Sequence, residues 1–96
     1  MSYNHGYLIR TRPDIRAVLR VISQSPAPID REGIREATAS QLTYAELVHA
    51  VHDVTIYKMA YISKDQRQGH KIKRYGPVYS NIEQMLDKYT DVEVQP

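Results

Sequence analysis

Between Thr11 and Ser25 the apolar residues Ile15, Val18, Leu19 and Ile22 recur at the three- and four-residue spacing of one buried helix face. Thr11 with Asp14 resembles a capping box, and Pro13 is tolerated in a first turn, so the pattern predicts a helix over 11–25. "SPAPI" then breaks the period and predicts a short extended segment. Asp30 is a favourable N-cap for "REGIREATA", with Ile29 and Ile34 spaced as a hydrophobic staple, which predicts a second, short helix. Thr43 and Glu46 form a further T-x-x-E box, flanked by a Leu42–Leu47 staple. In this third helix Leu47, Ala50, Val51 and Val54 align as the inner face, leaving Tyr44, Ala45, Val48, His49 and His52 outside.

After the third helix the period changes. "TIYKMAYIS" and "HKIKRYGPVY" are rich in β-branched and aromatic residues and predict two antiparallel strands, with "KDQRQG" as their loop and Gly69 near its tip. Ser80 with Glu83 reads as a third capping box, and Ile82, Met85, Leu86 and Tyr89 make an amphipathic stripe, predicting a terminal helix over 80–92. The order is helix, short strand, helix, helix, strand, basic loop, strand, helix. No internal repeat, low-complexity tract or linker interrupts it, so the expectation is one α+β domain over 1–96.

Length and charge sharpen this picture. Ninety-six residues suit one modest core. The absence of cysteine excludes disulfides and thiolate metal sites and suits a reducing compartment. No secretory leader pattern or long apolar run is seen, so a cytoplasmic chain with no membrane partner is expected. The net charge of +2 conceals an uneven distribution. From Lys58 to Arg74 there are Lys58, Lys64, Arg67, Lys71, Lys73 and Arg74 against Asp65, a local +5; from Ser80 onward Glu83, Asp87, Asp91 and Glu93 face Lys88 alone, a local −3. A basic hairpin followed by an acidic helix implies different partners for each.

This element order and the charge of the hairpin resemble the winged helix-turn-helix family of DNA-binding domains. The resemblance covers roughly 11–79, and implies three helices, a two- or three-stranded antiparallel wing sheet and a C-terminal helix. It implies that the third helix enters the major groove while the wing contacts the adjacent backbone or minor groove. Carried over, Ser40, Gln41, Thr43, Tyr44, Val48, His49 and His52 face the groove, and Lys64, Arg67, Gln68, His70, Lys71 and Lys73 form the wing. The turn "TASQL" is longer than in the simplest such motif. A second registration therefore starts the motif at Thr43 and uses "DVTIYKMAYIS" as the recognition helix, against the strand propensity of Thr55, Ile56, Tyr57, Tyr61 and Ile62.

The residues themselves weigh for and against this reading. A basic hairpin beside a polyanion gains from counterion release, whereas lysines on a hairpin also protect sheet edges. Arg12, Arg16 and Arg20 form a row on the first helix suited to a flanking phosphate or to solvent. The third helix has no Lys or Arg, so the bidentate Arg–guanine contact is missing there, and Gln41 is the residue suited to adenine. His49, His52 and Asp53 raise a metal site, but two imidazoles with no third ligand nearby are weak grounds for one, and no metal or cofactor is expected. The tyrosines suit packing of a small sheet. No nucleophile triad, phosphate loop or paired carboxylate is visible, so an enzyme is not expected. The expected function is sequence-dependent binding of double-stranded DNA by a small transcriptional regulator, acting as a homodimer through Ile82, Met85, Leu86 and Tyr89. Two rivals are a protein-interaction module using the apolar outer face of the third helix, and an RNA-binding winged helix.

Overall fold

The computed structural model describes residues 5–67 and 70–94, with side chains described over 5–64 and 72–88. The order of elements is α1 (His5–Thr11), α2 (Pro13–Gln24), β1 (Ile29–Asp30), α3 (Arg31–Thr38), α4 (Tyr44–Ile56), β2 (Ala60–Arg67), β3 (His70–Pro77) and α5 (Ile82–Val94). The fold is α+β, with the three strands in one antiparallel sheet of order β1-β3-β2. One core joins all five helices to the base of the sheet. Ile15, Val18, Leu19 and Ile22 of α2 meet Leu47, Ala50, Val51 and Val54 of α4, with Ile34, Met59, Tyr75 and Leu86 closing the sides.

Several local rules act as the sequence reading expects. Asp30 caps α3 by accepting from the Gly33 amide at 2.8 Å. A Cβ at Gly33 would stand 2.8 Å from Ile29 Cγ1, so glycine there lets Ile29 close over the first turn opposite buried Ile34. The Thr43 hydroxyl accepts from the Glu46 amide at 3.2 Å, and the Glu46 carboxylate accepts from the Thr43 amide at 2.9 Å, a complete capping box. All four inner-face residues of α4 are buried.

Other expectations are corrected. The first helical region is two helices, with Arg12 as the N-cap of α2 and no side-chain cap. The Thr11 hydroxyl instead donates to the Tyr7 carbonyl at 2.8 Å, and Asp14 accepts from Arg12. α1 was not visible as a pattern because it buries little beyond Ile9. Thr55 and Ile56 belong to α4 rather than to a strand, so helix period outweighs β-branching there. α4 ends in a Schellman motif: Met59 N–H donates to the Val54 carbonyl at 2.8 Å and Lys58 N–H to the Thr55 carbonyl at 3.2 Å. Lys58 takes the left-handed position, φ 61°, where glycine is usual. Residues 60–67 are a strand, which removes the second helix registration. The hairpin is also longer than expected, because pairing continues through Lys64↔Lys73 to Arg67↔His70. α5 starts at Ile82, so Ser80 is not its cap.

The stripe expected to pair two chains packs inside this one. Ile82 and Leu86 are buried in the core and Met85 packs against it, while the side chain of Tyr89 lies outside the described residues. α5 contacts α1 and α2. Among the described residues, Ile82 and Leu86 of that face are therefore covered within the chain.

Candidate nucleic-acid interface

Two pairings bring α3, α4 and the hairpin together. β1 pairs with β3 through Ile29↔Tyr75 and Asp30↔Arg74, so Arg31, the first residue of α3, is carried to the returning arm of the hairpin. β2 follows α4 after the Lys58 turn, so the hairpin stands beside the C-terminal half of that helix. Between them lies a groove of about 210 Å3, lined by Arg31 on one wall, Val48, His52 and Thr55 on another, and Ile62 and Lys73 on the third. Lys64 is exposed directly across the ladder from Lys73. Arg31, Lys64 and Lys73 pair with no carboxylate among the described residues. The groove thus carries the cations Arg31 and Lys73 on its walls beside the apolar Val48, Val51 and Ile62.

The residues expected to face DNA are divided among different surroundings. Val48 and His52 line this groove. Ser40 is exposed. Gln41 lines a separate groove of about 490 Å3 with Arg16 and Arg20 of α2. Thr43 and Tyr44 border a small recess with Arg35, whose guanidinium lies 5.9 Å from the Tyr44 ring centre. Lys64 and Lys73 are exposed on the hairpin. Gln68, and the side chains of Arg67, His70 and Lys71, lie outside the described residues. Sequence reading missed Arg31, Thr55 and Ile62, because it treated α3 as scaffold and Thr55 as strand; the short strand at 29–30 was the available signal, since its pairing places Arg31 here.

His49 is turned toward a different cluster. Its Nε2 is 3.2 Å from Asp53 Oδ2, and Arg12 Nη2 reaches the same oxygen at 2.9 Å and Asp14 Oδ2 at 2.8 Å. Asp14 and Asp53 side chains are only 16% and 14% exposed. Burial alone would raise the Asp14 carboxyl, but the hydrogen bond and charge of Arg12 outweigh it and hold the pKa below its ordinary value. The Asp14 hydrogen bond in turn raises the Arg12 guanidinium, against burial and with help from Asp53. The cluster ties the start of α2 to the middle of α4, and so fixes the helix whose other side lines the groove. Among the described residues no three His, Cys, Asp or Glu side chains are placed to hold a metal ion.

The expected row of arginines on α2 is also mostly engaged. Arg12 is committed as above, Arg16 Nη1 donates to the Ile9 and Arg10 carbonyls at 2.6 and 3.0 Å, and Arg20 lies 3.5 Å from Asp87. These side chains join α1, α4 and α5 to α2 rather than standing as a free phosphate row.

Apolar surface continues from the groove. Ile56, Tyr61, Ile62, Val78 and Tyr79 are 39–51% exposed, and Thr55, Lys58, Tyr61, Ile62 and Val78 line a shallow depression of about 400 Å3. The Tyr61 ring covers Gly76 across the ladder, where a Cβ would come within 2.4 Å of Tyr61 Cζ. No described helix is long and apolar enough to cross a membrane. No family model, curated protein or solved structure matches the chain, so the function is argued from these residues alone.

Proposed function

We propose that the chain binds double-stranded DNA in a sequence-dependent manner, as a small transcriptional regulator of winged helix-turn-helix design. The observation that carries this reading is the groove between α4 and the hairpin, with Arg31 and Lys73 on its walls and Lys64 opposite Lys73. The succession α2, β1, α3, α4, β2, β3, with β1 against β3, supports it. Cations drawn from α3, β2 and β3 would neutralise successive phosphates, and each neutralisation releases condensed counterions. A gel-shift titration against mixed duplexes at low salt tests the proposal. Retarded complexes that Lys64→Ala with Lys73→Ala weakens are expected; no complex at ~50 mM salt, where phosphate contacts are least screened, overturns it.

A second reading rests on a different observation. The exposed Tyr61, Ile62 and Val78 line one shallow depression, and a protein-interaction module would bind its partner there. Such a module gives no retarded complex with duplex or with structured RNA. An RNA-binding chain is separated by competition, in which structured RNA displaces duplex DNA.

A further inference from the structure

We infer that the free edge of β2 takes up an extended, acid-flanked peptide segment of a partner protein as an added strand. The inference rests on the second reading above, whose depression it assigns, and not on DNA binding.

The first ground is the edge itself. In the order β1-β3-β2, β2 has a neighbouring strand on one side alone among the described residues. Val78 N–H donates to the Met59 carbonyl at 3.2 Å, one step before Ala60↔Pro77, where proline has no N–H to give. Bonded and non-bonded pairs alternate along an antiparallel ladder, so Tyr61↔Gly76 and Ser63↔Arg74 bond inward. Ile62 and Lys64 therefore turn their N–H and C=O groups to the open side. The register runs from Ala60 to Arg67 without an extra residue, and no proline lies between Ala60 and Lys64, so neither a bulge nor a proline closes the edge at Ile62.

The second ground is what borders this edge. Successive side chains of a strand point to opposite faces: Tyr61 covers Gly76 on one face, and Ile62 lines the α4 groove on the other. Both nevertheless line the single depression of about 400 Å3, with Thr55, Lys58, Ala60 and Val78. A hollow reached from both faces lies along the edge. Tyr61, Ile62 and Val78 are 42–45% exposed, so a strand laid there covers apolar side chains on both faces while its backbone meets Ile62 and Lys64. Main-chain bonds supply affinity in such an addition, and alternate side chains supply selectivity.

The third ground is charge, which selects the occupant. Lys58 lines the depression, and Lys64 is exposed two residues beyond Ile62; neither pairs with a carboxylate among the described residues. The two cations bracket the apolar stretch. A second copy fits poorly: antiparallel pairing of β2 with itself about Ile62 brings Lys64 of each copy near Lys58 of the other, and pairing about Lys64 sets the two Lys64 side chains opposite one another, both repulsive. A peptide with β-branched residues at its centre and Asp or Glu toward both ends meets apolar side chains with apolar ones and lysines with carboxylates.

The test presents a displayed library of random linear peptides to the full chain, and the selected sequences are then synthesised. They are expected to carry valine, isoleucine or threonine at alternate positions between acidic residues, and to bind about tenfold more weakly to Lys58→Gly with Lys64→Ala. N-methylation of alternate peptide amides in one phase should weaken binding about tenfold or more, the scale of a lost hydrogen bond with its partner left unsatisfied; the other phase should be nearly neutral. On binding, the amides of Ile62 and Lys64 should gain protection from hydrogen exchange. Selected peptides that tolerate N-methylation in both phases, or that ignore the loss of the two lysines, overturn the inference while leaving a protein-binding depression. Sedimentation of the chain alone as a dimer that Ile62→Asp dissociates, with that variant folded by circular dichroism, assigns the edge to a second copy and also overturns it. Failure to select any peptide overturns the protein-interaction reading itself.

Discussion

Lys64 on β2 and Lys73 on β3 stand directly opposite one another in the hairpin ladder, both exposed. Two like charges at a cross-strand position oppose folding, and opposite charges favour it. Lys73→Glu should therefore raise stability by about 1 kcal/mol and yet weaken binding to random duplex by about tenfold or more at low salt. Urea unfolding with and without 1 M salt checks the first half, since the gain should shrink with screening; anisotropy titration checks the second. Moving both quantities in the same direction would show that the pair serves the fold.

The Arg12 cluster gives a pH dependence. Asp14 has a depressed pKa when folded, so its contribution is present above the unfolded value, ~4, and is lost as the pH falls through the folded value. The native chain should lose more stability between pH 6 and pH 3 than Asp14→Asn does. Arg12→Met at pH 7 should cost about 2 kcal/mol, because it strands two largely buried carboxylates. Urea midpoints at the two pH values measure both effects. Equal acid sensitivity of the native chain and Asp14→Asn would remove this role from Asp14.

Lys58 pays a backbone cost at φ 61° that glycine avoids. Lys58→Gly should be neutral or stabilising by up to ~1 kcal/mol, whereas Lys58→Val, β-branched at a left-handed position, should destabilise by about 1–2 kcal/mol. Thermal unfolding of the two variants provides the comparison, and a stable Lys58→Val would contradict the left-handed turn.

Leu86 is fully buried in the chain's own core. Leu86→Ala should cost about 3 kcal/mol, with an unfolding midpoint independent of protein concentration. A midpoint that rises with concentration would restore α5 as a contact between chains.

What the sequence disclosed and what it withheld follow one physical division. Caps at Asp30 and Thr43 and the inner face of α4 were legible because each depends on residues within one or two turns. The reach of α4 to Ile56 was not, because Thr55 and Ile56 favour strands and the deciding partner, Met59 in the Schellman turn, sits beyond the helix. The packing of Ile82 and Leu86 was likewise open, since an apolar stripe does not say whether its cover belongs to its own chain. At the site, Lys64 and Lys73 could be named from charge alone. Arg31 could not, because only the pairing of Ile29 and Asp30 with the distant Tyr75 and Arg74 carries it to the groove.

The salt dependence of affinity for a random duplex tests the central claim most directly. If the DNA-binding proposal holds and each of Lys64, Arg67, Lys71 and Lys73 neutralises one phosphate, the slope of log affinity against log salt should be near −3.6 for ~4 contacts. Lys64→Ala with Lys73→Ala should flatten that slope by ~1.8. A slope unchanged by the double substitution would contradict the account, and the basic hairpin would then be a solvated edge or a docking surface for an acidic protein.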